Sequence, residues 1–291
     1  MAKQVKRIAL TNYLLMEPRA DLHIHSTASD GMLTPTQVVE AAAQAGLAAV
    51  ALTDHDTVAG IDEALAAGTR LGVEVVPAIE ISSTHAERVE VHILGYFFDY
   101  KAPDLVDRLE FLRNARWERA KQIVEKLNAV GVPVEFDRVV EIARGGAIGR
   151  PHVARAICEV GAAGSIDSAF GHFLIEGCPA YVPRYKVTPF EAIDMIIATG
   201  GVAGCAHVAK LKRDELLVEM IKHGLRAIEV RHPDHSSVGR KFYTRFAKTR
   251  GLIATGGSDA HYFGSENRPG IGDVTVPYEI VSQLKQASHG A

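Results

Sequence analysis

The 291 residues include only three cysteines, Cys158, Cys178 and Cys205, and no C-x-x-C pair. An odd number without that spacing excludes a disulfide framework and a zinc knuckle and fits a reducing cytoplasm. Small buried apolar roles are expected for them. No apolar run reaches the roughly 18 residues that span a bilayer, so no transmembrane helix is expected. Ile8 to Met16 follows Lys3, Lys6 and Arg7 as a signal sequence would, yet Thr11-Asn12 interrupts it and no small-residue cleavage site follows. Residues 1–18 read as an N-terminal extension. Positive charge is not in excess either. Lys and Arg number 32 against 35 Asp and Glu, a formal −3, which argues against a surface built mainly to hold nucleic acid. Repeats and low-complexity tracts are missing. What is present, 47% hydrophobic and 23% charged residues, is ordinary for a globular protein and long enough for one large α/β domain or two average ones.

The chain then shows a rhythm. A strand around Asp21-Leu22-His23-Ile24-His25 is followed by Thr34-Pro35, an N-cap and N1 pair that starts a helix ending at Gly46. Leu47–Leu52 is a buried strand, Ile61–Leu71 a helix, Val73–Ile79 a third strand and Val89–Phe98 a fourth. This alternation implies βαβ units and a parallel sheet. From about residue 101 to 187 only helical patterns occur, including a long one at 104–130, which marks an insertion subdomain. The rhythm resumes at Thr188-Pro189, with strands at 202–206, 227–230 and 252–255 and a last helix from about Pro277. Seven strands result, most followed by a helix.

Chemistry collects where the strands end. In a parallel barrel those ends lie on one face, so residues distant in sequence converge. Seven of the thirteen histidines, His23, His25, His55, His92, His207, His232 and His261, stand in or just after strand patterns, beside Asp30, Asp54, Glu80 and Asp259. His23 and His25, two apart on a strand, project the same way. Mixed imidazole and carboxylate groups suit Zn, Mn or Fe rather than Ca. Their number exceeds what one four-coordinate ion uses, so at least two ions are implied. Such a cluster generates hydroxide near neutral pH and clamps anionic oxygens, which suits phosphate esters.

The stretches Asp21-Leu22-His23-Ile24-His25 with Ser29-Asp30-Gly31, Thr53-Asp54-His55-Asp56, Ala78-Ile79-Glu80 and Gly257-Ser258-Asp259-Ala260-His261 resemble the four motifs of the PHP (polymerase and histidinol phosphatase) family. The Ile148–Arg155 segment and His232-Pro233-Asp234-His235 resemble its branch of stand-alone phosphoesterases. The resemblance implies an α/β chain folded as a distorted (β/α)7, TIM-like barrel over 19–100 and 188–291, with a helical cap over 101–187. It further implies three divalent ions, Mn2+ first and Fe2+ or Zn2+ as alternatives. His23, His25, Glu80 and Asp259 would hold one ion, Glu80, His92 and His207 a second, and Asp30, His55 and His261 a third. A hydroxide bridging two ions would attack phosphorus. His232 or His235 would orient substrate or protonate the leaving oxygen. Two departures stand out. Val208 follows His207 where the family usually has proline, and Arg231 precedes His232 where an aromatic residue is common; Arg231 is a candidate phosphate contact.

Arg150 precedes Pro151, a favoured N1 residue, and so stands at a helix start where free amides and the dipole favour anions. With His152 it is a candidate for a second, non-scissile phosphate. Arg113, Arg116 and Arg119 share one helix face and read more simply as solvated. Asp54 reads as a residue that orients ligands. An amide hydrolase would be expected to show a metal-bridging lysine at a strand end, and Lys210 comes three residues too late. The expected function is removal of a phosphomonoester, the 3'-phosphate of a nucleoside 3',5'-bisphosphate. The alternative is a 5'-3' exoribonuclease on short RNA, and behind both stands an inactive nucleotide-binding module. Neither a membrane nor a stable protein partner is expected.

Overall fold

The computed structural model describes residues 17–86, 89–143, 148–183, 185, 187–261 and 269–289. Most of the expected N-terminal extension and the Gly145-Gly146-Ala147 loop lie outside the described residues. No helix among those described is long and apolar enough to cross a membrane.

The elements are β1 (Arg19–Ile24), α1 (Pro35–Gln44), β2 (Ala49–Leu52), α2 (Ile61–Leu71), β3 (Glu74–His85) and β4 (Val89–Tyr96). Next come α3 (Pro103–Ala129), α4 (Phe136–Ala143), α5 (Arg150–Glu159), α6 (Ile166–Ala169) with a π-turn over Phe170–Leu174, and α7 (Pro189–Ala198). The chain closes with β5 (Val202–Cys205), α8 (Val208–Leu211), α9 (Asp214–His223), β6 (Ala227–Arg231), α10 (Ser237–Arg250), β7 (Ile253–Gly256), β8 (Val276–Pro277) and α11 (Glu279–His289). Thr34 and Thr188 each cap a helix whose first residue is proline, and the side chains of Gln37 and Glu191 accept a hydrogen bond from the cap residue's N–H.

Eight strands form one sheet in the order β7-β6-β5-β4-β3-β2-β1-β8. The expectation of a wholly parallel sheet is corrected here: β4 runs antiparallel to both β3 and β5. The link from His85 to Val89 is far too short for a parallel crossover, which needs a dozen residues or more. A hairpin is the one solution, and pairing with β4 extends β3 beyond Glu80 to His85. The eighth strand is the two-residue β8, antiparallel to the start of β1; so short a piece leaves no periodic signal.

Beside the upper part of β1 lies the segment after β7. Asp259 N–H donates to His23 O at 2.9 Å and His25 N–H to Ala260 O at 3.0 Å, closing the barrel. The lower interior is filled by Leu22, Val76, Ala78, Leu94, Tyr96 and Ala227 and plugged by Val281 and Leu284 of α11. Outside, α7, α9 and α10 cover β3 to β7, while α1 and α2 cover β1 to β3. Residues between Ala120 and Val182 build a separate apolar cluster, with Leu127, Val139, Val153, Ile157 and Leu174 inside. It lies within the stretch expected as an insertion, whose first helix begins in the barrel's cluster with Leu105, Leu109 and Leu112 and whose end returns to it at Val187.

Closure depends on a close approach. A Cβ on Gly257 would lie 2.4 Å from both the backbone nitrogen and the Cβ of His23. Gly257→Ala is expected to cost about 1–3 kcal/mol by overpacking, read as a lower midpoint in denaturant unfolding; an unchanged midpoint would contradict this closure.

Candidate metal centre and active site

All nine residues expected as ligands come together at the barrel mouth, gathered about the Glu80 carboxylate. Its Oε2 lies 3.3 Å from His23 Nε2, 3.3 Å from His25 Nε2 and 3.2 Å from His55 Nδ1. Its Oε1 lies 2.9 Å from His92 Nδ1 and 3.3 Å from His207 Nε2. Asp259 Oδ1 is 3.4 Å from His23 Nε2 and 3.2 Å from His25 Nε2. Asp30 meets His261 Nε2 at 3.3 Å and His55 Nε2 at 4.0 Å. A register irregularity in β1 between Asp21 and Ile24 keeps Leu22 with the inner apolar cluster while His23 and His25 both reach Glu80.

These groups fit divalent ions. Bonds of roughly 2.0–2.2 Å place neighbouring ligand atoms about 3.0–3.6 Å apart, which is the spacing found here. Furthermore, His23 Nε2, both nitrogens of His25 and His55 Nδ1 are buried without a hydrogen-bond partner. Orphaned imidazole nitrogens that nevertheless crowd carboxylates are arranged for a shared cation. Ligand atoms fall into three groups within 4.8 Å: His25, Asp30, His55 and His261; His23, His25 and Glu80; His55, Glu80 and His92. His55 therefore stands between two groups rather than with Asp30 and His261 alone.

Electrostatics agree. Burial pushes the Glu80 and Asp259 carboxyls up, but the imidazoles around them, His55 and His23 foremost, outweigh it and hold both well below the usual carboxylate range. Burial in turn lowers His55 and His207, keeping imidazoles in their ligating form. Burial also opposes protonation of His25, yet Asp259 and Glu80 raise it to about 10. A divalent ion would replace that proton's charge, so binding releases protons.

The surrounding shell was only partly foreseen. Glu229, in the middle of β6, is fully buried; its Oε1 is 3.0 Å from His23 Nδ1 and its Oε2 accepts the His207 N–H at 2.7 Å. Holding the proton on Nδ1 turns the other nitrogen of His23 toward Glu80 as a free lone pair. The available signal was an acid inside the apolar run Ala227-Ile228-Glu229-Val230. Asp54 accepts from Ser26 N–H, Ser26 Oγ–H and Ser29 Oγ–H, each at 2.7 Å, and so holds the loop that carries Asp30. Asp21 accepts from Ser258 and Gly272 amides, and burial raises it to about 6.

Other candidates separate. His232 is buried; its Nδ1 accepts the Asp234 N–H at 3.1 Å, which leaves the proton on Nε2, 3.1 Å from Asp259 Oδ2. His235 is also buried, but Nδ1 donates to Val230 O and Nε2 accepts from Ala209 N–H, so both nitrogens serve the backbone. Arg231 is exposed and reaches the Thr275 carbonyl at 3.3 Å. The register shift after Glu229 re-aims it, and it lines neither cleft at the centre.

Under the cap, a cleft of about 200 Å³ is bounded by Asp30, His55 and His92 on the barrel side and by Arg116, Arg119 and Arg150 on the cap side. Arg150 is the first residue of α5, with its guanidinium 3.3 Å from Glu90 and 5.5 Å from the Phe170 ring centre. His152 is buried, and its Nδ1 accepts the Gly149 N–H at 3.0 Å. Arg116, read from sequence as solvated, is ion-paired with buried Asp56 and donates to Ser82 Oγ at 3.0 Å. Arg119 donates to Val182 O at 2.9 Å. Only tertiary packing turns this part of the helix face inward; Arg113, one turn earlier, is exposed as expected, 3.7 Å from Glu110.

Glu229→Gln, nearly isosteric but unable to offer a carboxylate to His23 Nδ1–H, is expected to weaken Mn2+ binding about 10- to 100-fold. Calorimetric titration of chelator-stripped protein measures it, and equal affinities would contradict the positioning role.

The PHP domain model matches residues 21–102. A 5'-3' exoribonuclease of Haemophilus influenzae is 35% identical over 252 residues, covering 85% of this chain and 91% of the relative. A 3',5'-nucleoside bisphosphate phosphatase of Chromobacterium violaceum is 35% identical over 254 residues, covering 85% and 89%. A crystal structure of a Bifidobacterium adolescentis protein assigned as a metal-dependent phosphoesterase superposes with a TM-score of 0.84 at 32% identity, covering 92% of this chain and 96% of that one. With its barrel, its imidazole and carboxylate centre and these relatives, the chain belongs to the PHP family and is a metal-dependent hydrolase of phosphate esters.

Proposed function

We propose that the enzyme removes the 3'-phosphate from nucleoside 3',5'-bisphosphates in the cytoplasm, using three divalent ions, Mn2+ first, held by His23, His25, Asp30, His55, Glu80, His92, His207, Asp259 and His261. The observation that carries this reading is the arginine-lined cleft beside the ligand cluster. A plain phosphatase needs one phosphate site; here a second cationic wall faces the first. Bound ions would supply an activated water and neutralise the scissile phosphoryl oxygens.

The chain's own groups do the rest. Arg150, on the cap wall of the cleft, is placed to take the 5'-phosphate with a planar guanidinium. Arg116 and Arg119 add positive potential from the cap, and His152 lines the same helix start. Substrate phosphate would draw Arg150 from Glu90, a contact between partly exposed side chains that costs little to exchange. His232 is buried with its Nε2 proton directed at Asp259 Oδ2, so its part is to position that ligand. The name of the Chromobacterium relative supports this substrate class.

Phosphate release from 3',5'-bisphosphoadenosine is expected with Mn2+ and is lost after chelation. Arg150→Ala should raise KM for the bisphosphate at least tenfold while leaving p-nitrophenyl phosphate, which has no second phosphate, within about twofold. Equal losses on both substrates would overturn the assignment of Arg150.

A further inference from the structure

On the outer wall of the barrel, away from the metal centre, a groove of about 460 Å³ runs between α9 and α10. Glu215 and Val218 of α9 form one bank, and Phe242, Arg245, Phe246 and Thr249 of α10 the other. Phe242 and Val238, one turn apart on α10, are 50% and 75% exposed. An apolar strip beside a groove, rimmed by charge, marks an interaction surface rather than scattered exposure.

Charge is segregated between the two banks. α10 carries Arg240, Lys241, Arg245, Lys248 and Arg250 and no acid, although the whole chain has a formal charge of −3. Arg240 and Lys241 stand near the helix N-terminus, where the dipole disfavours cations, so helix stability does not account for them. On the other bank α9 exposes Glu215 and Glu219. Among the described residues, Lys241, Arg245, Lys248, Glu215 and Glu219 make no ion pair.

The banks also match in register. β5, β6 and β7 are mutually parallel, so α9 and α10 return along the outside in the same direction. Tyr243 OH donates to Asp214 Oδ1 at 2.9 Å, which sets those two residues at one level. With a rise of 1.5 Å per residue, Glu215 then lies within about 2 Å of the level of Arg245, and Glu219 within about 2 Å of that of Lys248. Around each helix, 100° per residue gives the same order away from the groove: Phe242, Arg245, Lys248 on α10 and Val218, Glu215, Glu219 on α9. Such a face is complementary to itself about a two-fold axis parallel to the groove, which lays each α10 on the other copy's α9. An axis across the groove would set acid on acid.

We infer that this face is the isologous interface of a homodimer. Phe242 of each protomer enters the groove beside the axis, while Arg245 and Lys248 meet the partner's Glu215 and the partner's Glu219. Every contact occurs twice. Because α9 and α10 both start at the barrel mouth, this axis leaves the two metal centres open at the same end of the dimer. The inference is independent of which phosphate ester is cleaved.

Light scattering after size exclusion reads the mass, and the wild-type protein is expected at twice the chain mass. Phe242→Glu should weaken association about a hundredfold. Arg245→Glu and Glu215→Arg each put two like-charged contacts into a homodimer and should each run as monomers. Mixed in equal amounts, these two variants should recover the dimer, because both contacts of the mixed pair are then of opposite charge. All three changes lie on the outer wall, so p-nitrophenyl phosphate turnover and thermal midpoints are expected to match the wild type. A dimer that none of the variants disturbs overturns the inference, as does failure of the mixed pair to associate. Wild-type protein that stays monomeric at high micromolar concentration also overturns it, and retention on heparin would then assign the basic bank to a polyanion.

Discussion

One buried carboxylate organises this molecule. Glu80 is 1% exposed, and five imidazoles lie between 2.9 and 3.3 Å from its two oxygens. Such a group is costly to take out of water unless positive charge surrounds it. Neutral imidazoles supply that charge only in part, since each can present either a proton or a lone pair to its neighbour. The geometry resolves the conflict in favour of lone pairs turned toward common points, the arrangement that divalent ions satisfy. Asp259 and Asp30 repeat the same pattern on either side.

The rest of the fold can be understood as what places those side chains. Local departures from regular pairing matter most. The irregularity in β1 brings His23 and His25 to the mouth, the hairpin of β3 and β4 sets His92 beside Glu80, and the strand-like segment after β7 carries Asp259 and His261 back against β1. His207 and Asp259 both adopt positive φ angles, 31° and 52°. Strain of this kind persists where surrounding contacts dictate it, and here both residues point into the centre. Behind them, Glu229 ties His23 to the backbone of His207, so two ligands on distant strands share one positioning group. The cap then adds what the barrel lacks, a wall of arginines, through Arg116 on α3 and Arg150 at the start of α5.

Much of this was legible from residues alone. Ligand side chains at or near the ends of apolar strands, and helix starts marked by Thr-Pro, depend on neighbours in sequence and show themselves there. The nine expected ligands do converge, though His55 lies between groups rather than in one. What was hidden depends on pairing and packing. Nothing in the periodicity of Val89–Tyr96 states its direction; only the short link to β3 does. Arg231 looked like a phosphate contact from its place before His232, and a register shift that no neighbour in sequence announces turns it away from both clefts. His235 resembled a free imidazole until both nitrogens met backbone groups. Conversely, Arg116 and Arg119 looked solvated because a helix face carries no label for what packs against it, and Glu229 was passed over as part of an apolar run. Cys205 is buried as expected, whereas Cys158 and Cys178 are partly exposed.

The most direct test of the account is anomalous scattering from crystals of the chelator-stripped protein soaked in Mn2+. If Glu80 is the shared centre, difference peaks appear against both of its oxygens, one beside His23 and His25 and another beside His92 and His207. A single peak, or peaks that avoid the Glu80 carboxylate, would contradict it.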